Sequence, residues 1–324
     1  MNPLNYLPPD LTHDMAHIII RSGVIKLPRV QVSLPVVLNG HVFTNPLGLG
    51  AGIDKDAFLT GNLLNLGMGF ITIGSVTLRP RQGNPRPRVV KYPGLRAMVN
   101  AMGLPSRGFM DVMGRVRELM PRAREHGVNL VLSLAGFSIE EFMLMIPRAV
   151  GMGLGIIEIN VSSPTYKGSW VKDRDQLSAL FREVEGFDAL FFIKVPLGLD
   201  VDDYRWFVNE ASRRGFGLTL CNTLIVKEPR ISVGYGGLSG APIYPLVRAL
   251  IRKVRSWGFR GPIIGVGGVF DAWQVLDLVR VGANLVGVVT AFAYNGPWAI
   301  LRLLRGLRVL VKLKRDHIAP GPNG

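Results

Sequence analysis

Residues 190–196 read LFFIKVP, an apolar run broken only by Lys194 and too short for an ordinary helix. Nothing in it alternates between apolar and polar, so the strand it predicts is buried on both faces, as strands of a parallel sheet are. Seven more runs of this kind lie along the chain: 47–52 (LGLGAG), 71–76 (ITIGSV), 129–135 (NLVLSLA), 155–162 (GIIEINVS), 217–222 (GLTLCN), 262–268 (PIIGVGG) and 285–291 (LVGVVTA). Between them stand stretches with helical periodicity, such as 139–150 (IEEFMLMIPRAV) and 271–281 (DAWQVLDLVRV). Eight strands alternating with helices predict an α/β fold, a (β/α)8 TIM barrel, which takes about 250 residues. The expected division is a short N-terminal helical extension over 1–40, the barrel over 41–316 and a tail over 317–324. The long connections after the second and sixth strands, 77–109 and 223–242, are expected as loops over the C-terminal mouth, where barrel active sites lie.

Composition narrows the class. The chain has 324 residues, 48% of them hydrophobic and 19% charged, which excludes a disordered chain. A single cysteine, Cys221, excludes a disulfide framework and a Cys-based metal or iron–sulfur site within the chain. Residues 281–301 and 57–78 carry no charged side chain, but glycines, asparagines and Pro297 interrupt them, so both read as strand then turn rather than membrane span. The first ten residues lack a basic start and an apolar core, so no signal peptide is expected. The reading is a cytoplasmic protein, with a peripheral place on the inner face of the cell membrane left open. Lys and Arg number 38 against 23 Asp and Glu, a net +15. That charge admits nucleic acid, an anionic membrane face, small anionic ligands or merely a solvated basic surface.

Every predicted strand ends in polar or glycine residues. Asp54 and Lys55 follow the first and Ser75 closes the second; Ser133 belongs to the third, and Asn160, Ser162 and Ser163 to the fourth. Lys194 marks the fifth, Asn222 and Thr223 the sixth, Gly267 and Gly268 the seventh, and Thr290 the eighth. No histidine and no carboxylate pair stands among them, which argues against glycosidase-type acid–base work. His13 and His17 are better read as a solvated helix face than as metal ligands, and no metal site is expected. Lysines, amides, hydroxyls and glycines together suit a planar, partly anionic molecule and leave the difficult step to a cofactor. The GVGG turn at 265–268, with Thr290 after the next strand, makes a phosphate cradle.

Seven segments, in order, resemble one family: NPLGLGAGIDKD (45–56), IGSVTLRPRQGNPRPR (73–88), NAMGLPSRG (100–108), INVSSP (159–164), CNT (221–223), GGLSG (236–240) and PIIGVGGV (262–269) are similar to dihydroorotate dehydrogenase. The resemblance implies FMN as cofactor and oxidation of dihydroorotate to orotate in pyrimidine synthesis, with no nucleic-acid partner. It implies Ser163 as the base that takes the C5 proton; cysteine holds this position in the soluble class of the family, and serine in the membrane-associated class. Lys55, Asn100, Asn160, Thr165, Asn222 and Thr223, with the turn Ala101, Met102, Gly103 and Leu104, match substrate-side positions. Ala51, Gly52, Lys55, Ser75, Ser133, Asn160, Lys194, Cys221, Gly240, Gly267, Gly268, Val289 and Thr290 match cofactor contacts, Lys194 beside flavin N1 and O2.

Two departures stand out. The family reads Asn-Thr after the serine and proline, where this chain has Thr165–Tyr166; the class with serine often carries Arg where Ala101 stands. The extension, with Leu11, Met15, Ile18 and Ile19 near helical spacing and Arg21, Lys26 and Arg29 following, resembles the N-terminal piece of the quinone-using class. A quinone is therefore the expected electron acceptor, and the extension a peripheral membrane contact. A partner subunit carrying flavin and an iron–sulfur cluster is the alternative acceptor. A tRNA-modifying flavin barrel of the dihydrouridine synthase type is the more distant rival.

Overall fold

The computed structural model describes residues 18–24, 26–162, 170 and 173–316. Near the N-terminus 18–22 are helical, and 26–35 run without regular structure into a hairpin of β1 (Val36–Leu38) and β2 (His41–Phe43). Leu38 pairs with His41 across Asn39 and Gly40, whose φ values of 43° and 80° are those of a two-residue type I′ turn. The expected boundary at residue 40 falls inside this hairpin.

The barrel strands follow in chain order: β3 (Leu47–Asp54), β4 (Phe70–Val76), β7 (Asn129–Leu134), β8 (Ile156–Asn160), β9 (Leu190–Leu197), β10 (Gly217–Lys227), β12 (Ile263–Val266) and β13 (Leu285–Val288). Each pairs in parallel with the next, Leu218 with Ile263 and Val286 with Leu47 among the pairs that complete the ring. The eight predicted strands are thus all present, and the barrel closes. The helical stretch at 139–150 is Ile139–Gly151, and that at 271–281 is Ala272–Arg280.

Below the mouth the barrel is filled. Phe70, Val131, Ile156, Leu190, Phe192, Ile264, Val266 and Leu285 form an inner core, and Leu38 and Phe43 of the hairpin close it from beneath. Small residues make room for the rings: a Cβ on Gly48 would stand 2.3 Å from Phe70, and one on Gly217 2.5 Å from Phe192. The helices cover the outside by the usual periodicity; Phe109–Glu125 buries Phe109, Val112, Met113, Val116, Leu119, Met120 and Ala123. Among the described residues no helix is long and apolar enough to cross a membrane. The uncharged stretch 281–301 breaks into β13, the short helix Thr290–Asn295 and a turn at Gly296.

The two segments expected as loops are instead sheet. β5 (Val89–Tyr92) and β6 (Ala97–Asn100) form an antiparallel pair, and β6 pairs with β11 (Tyr235–Gly240) through Gly237 and Asn100. β11 in turn pairs with the far end of β10, Leu224 opposite Leu238. Val90, Val99, Ala101 and Ile231 give this excursion a small core of its own. Tyr92 donates to the Glu228 carboxylate, and Arg230 bonds both, so the two segments are clamped where they meet.

Phe43 is fully buried, with its ring edge-on to Phe70 at 6.3 Å, and it lies at the end of the barrel away from the mouth. Phe43→Ala is expected to lower the unfolding free energy by roughly 3–5 kcal/mol through the cavity it leaves. Chemical denaturation should show a lower midpoint with an unchanged slope.

Candidate active site

The mouth is built from strand ends. Ser133, Glu158, Lys194 and Thr219 stand on the four consecutive strands β7 to β10, and register places them in one layer, Ser133 opposite Glu158 and Thr219 opposite Lys194. All four are buried. The Ser133 hydroxyl donates to Glu158 Oε1 at 2.7 Å and the Thr219 hydroxyl to Oε2 at 2.8 Å, while Lys194 Nζ lies 3.4 Å from Oε1. Two opposite charges out of water are tolerated because each faces the other and the carboxylate's remaining lone pairs are occupied.

From this layer hydrogen bonds climb to the mouth. With its own proton on Glu158, Ser133 accepts from the Ser75 hydroxyl at 2.8 Å, and Asn160 Nδ2 donates to Ser75 at 2.7 Å. Asn160 Oδ1 accepts from the Ser162 amide and hydroxyl, and Asn222 Nδ2 donates to the Ser162 hydroxyl at 2.8 Å. Thr223 donates its amide to Asn222 Oδ1, fixing that side chain's orientation. Asn100 approaches across the excursion sheet, its Nδ2 3.5 Å from the Gly237 carbonyl. Beyond it the chain turns through Ala101, Met102, Gly103 and Leu104, held by the Asn84 bonds to the Ala101 and Met102 carbonyls.

Lys55 sits on the loop after β3. Asp54, 1% exposed, organises that loop by accepting from the amides of Phe58, Leu59 and Thr60 and from the Thr60 hydroxyl. Lys55 Nζ donates to the Gly52 carbonyl at 2.8 Å. Desolvation pushes its ammonium down to about 8, opposed by Asp56 and Asp54 and aided by the charge of Arg88. The Arg88 Nε is itself buried with no partner among the described residues. Ala51 and Gly52 are half-buried, and a Cβ on Gly52 would meet nothing within 4 Å, so open space lies over this backbone.

The cradle lies across the mouth. Gly267 and Gly268 have φ of 143° and 73°, and Gly268 passes so close to β11 that a Cβ would stand 2.8 Å from the Gly240 carbonyl. Gly240, at φ 98°, is pressed against the Arg96 carbonyl in the same way. Thr290 donates to Ser239 at 3.0 Å and opens the helix Thr290–Asn295, preceded by half-buried Val289. Burial pushes the Cys221 thiol up, so it stays protonated.

Of the substrate-side and cofactor-side residues singled out from the sequence, the described ones lie in or beside this mouth; Ser163, Thr165 and Tyr166, like Leu11, His13, Met15 and His17, lie outside the described residues. Sequence reasoning missed Glu158, Thr219 and Ser239 as partners and Arg88 as a half-buried cation beside Lys55. Glu158 carried a signal, being the one charged residue inside GIIEINVS. Of the cations expected at a membrane, Arg21 lies over the Phe58 ring at 4.0 Å and Arg29 donates to the His126 carbonyl.

A mouth with buried lysines, amides and hydroxyls at one side and a glycine cradle at the other defines a cofactor-dependent barrel oxidoreductase. A sequence profile described as dihydroorotate dehydrogenase matches residues 33–311. The dihydroorotate dehydrogenase (quinone) of Parvibaculum lavamentivorans is 32% identical over 318 residues, 94% of this chain and 91% of that protein. The mitochondrial dihydroorotate dehydrogenase (quinone) of Mus musculus is 32% identical over 331 residues, 94% of this chain and 84% of that one. The crystal structure of the Eimeria tenella enzyme in complex with ferulenol matches with a TM-score of 0.85 at 26% identity, covering 97% of this chain and 94% of that one. The chain belongs to the dihydroorotate dehydrogenase family. It is an oxidoreductase acting on a carbon–carbon single bond, and membership implies a flavin cofactor. The rival tRNA-modifying barrel has no support in these matches.

Proposed function

We propose that the chain oxidises dihydroorotate to orotate with FMN as its flavin, Ser163 as the base and a quinone as the electron acceptor, in de novo pyrimidine synthesis. The observation that carries this reading is the unbroken path Asn222–Ser162–Asn160–Ser75–Ser133–Glu158, which joins the substrate-side amides to the layer holding Lys194. The donor set fits the cofactor: Gly240, Gly267, Gly268 and Thr290 would hold the phosphate, with Ala51, Gly52, Val289 and Cys221 lining the flavin and Lys194 at its pyrimidine edge. The flavin, when bound, supplies two-electron acceptance of hydride from C6 of the substrate.

The chain's own residues do the rest. Lys55 and the amides of Asn100, Asn160 and Asn222, with Thr223, hold the carboxylate and ring amides of dihydroorotate, and the 101–104 turn closes over it. Ser163 takes the C5 proton and passes it toward Thr165 or Tyr166, because a serine hydroxyl is a poor base without a group to accept its proton. The printed names of the quinone-using relatives support the acceptor. The described start of the extension packs on the segment after the Lys55 loop, with Arg21 over the Phe58 ring at 4.0 Å and Asn62 donating to the Ile20 carbonyl at 2.8 Å. Arg21, Lys26 and Arg29 would add peripheral contact with an anionic membrane, and the location this reading gives the protein is the cytoplasm or the inner face of the cell membrane.

Two outcomes follow. Because the Lys55 ammonium is present below about pH 8 and lost above it, orotate affinity should fall as pH rises through 8, by up to tenfold per unit. Flavin-absorbance titration of wild type and Lys55→Met reads this; the variant should bind weakly with no inflection near 8. Ser163→Ala should keep flavin and orotate but slow reduction by dihydroorotate about 10²–10⁴-fold. In the same stopped-flow experiment, reoxidation by a water-soluble quinone should be unchanged, and neither fumarate nor NAD should reoxidise the flavin. An unchanged reduction rate moves the base to another residue.

A further inference from the structure

We propose that Glu158 is a positioning residue that governs how much of the Lys194 charge acts on the bound flavin, and thereby sets the reduction potential of the site. The inference rests on the reading of Lys194 as the cation at the flavin's pyrimidine edge.

The layer is over-built for packing alone. Glu158 is 2% exposed and Lys194 6%, on neighbouring strands of the barrel interior. One carboxylate oxygen takes both the Ser133 hydroxyl and the lysine; the other takes Thr219. An apolar side chain would fill the same space without burying a charge, as Ile157 and Ile159 do on the opposite face of β8. What the carboxylate adds is a negative charge 3.4 Å from Nζ, in surroundings where such charges are weakly screened. With it, the layer is a neutral pair. Without it, Lys194 is an uncompensated cation.

The consequence for a flavin is one of sign. Two-electron reduction leaves negative charge on the pyrimidine edge, so an uncompensated cation there stabilises the reduced form and raises the potential. Glu158 holds that effect back and keeps the reduced cofactor willing to give its electrons up. Ser133 and Thr219 spread the carboxylate's charge, and Ser133 also bonds Ser75, so the polar floor of the site tunes as a unit.

Glu158→Gln is the direct test, because glutamine keeps the shape and one oxygen acceptor for Lys194 and Ser133, removes the charge, and asks only the Thr219 hydroxyl to turn and accept from the amide. The readout is the midpoint potential of the purified holoenzyme at pH 7, from dye-equilibrated reductive titration of flavin absorbance. Glu158→Gln is expected to shift the reduced-to-oxidised ratio at fixed potential at least tenfold toward reduced, about 30 mV upward for a two-electron couple. Glu158→Asp, which retains the charge, should recover at least half of that shift. Lys194→Met should move the potential downward. Should Glu158→Gln fail to fold, Thr219→Val keeps both charges, concentrates the carboxylate's, and is expected to lower the potential; no shift in it then overturns the proposal. An unchanged potential in Glu158→Gln beside a lowered one in Lys194→Met overturns the role of Glu158 and leaves the reading of Lys194 standing. An unchanged potential in Lys194→Met overturns that reading instead.

Discussion

A carboxylate and an ammonium face each other inside the barrel, Glu158 and Lys194, 3.4 Å apart and almost wholly out of water. The mouth is arranged to make that tolerable. Ser133 and Thr219 come from the strands on either side to occupy the carboxylate's lone pairs, and Ser75 and Asn160 extend the chain of bonds upward. A polar network of this kind rigidifies its members only when each is satisfied, and here each described member has a partner. Below it the interior is apolar, from Phe70 and Phe192 down to the hairpin that closes the barrel. The division of the barrel into a packed floor and a polar upper layer is what lets one fold be both stable and reactive.

The excursion sheet completes the site from outside the barrel. It brings Asn100 and the 101–104 turn over the mouth on backbone that is hydrogen-bonded to β10 and β11 rather than loose. The close approach of Gly240 to Arg96 and of Gly268 to Gly240 links this wall to the cradle. Asn100, Asn222 and the Gly240 and Gly267–Gly268 turns are thereby held on one connected sheet.

Much of the fold was legible in the sequence because strands buried on both faces announce themselves as short apolar runs, and all eight were of that kind. The excursion was not: Val89, Val90 and Val99 are strand formers, but the prolines, glycines and arginines around them read as loop. Asn39–Gly40 between apolar residues is a hairpin signal that an expectation of a helical extension over 1–40 leaves out. Of the site, Lys194 and the glycine cradle could be placed from strand ends alone. The roles proposed for Asn100, Asn160 and Asn222 depended on resemblance. Glu158 was passed over because a charge inside an apolar run was absorbed into the strand, although period-two alternation puts it on the same inward face as Asn160.

The central claim is that this mouth couples a flavin to dihydroorotate. Anaerobic titration of the purified protein with dihydroorotate, followed by flavin absorbance, tests it most directly. The account predicts a yellow protein, with a flavin monophosphate released on denaturation, whose oxidised band bleaches stoichiometrically as orotate forms. A protein that cannot be loaded with FMN, or a loaded one that stays oxidised in the presence of excess dihydroorotate, contradicts it.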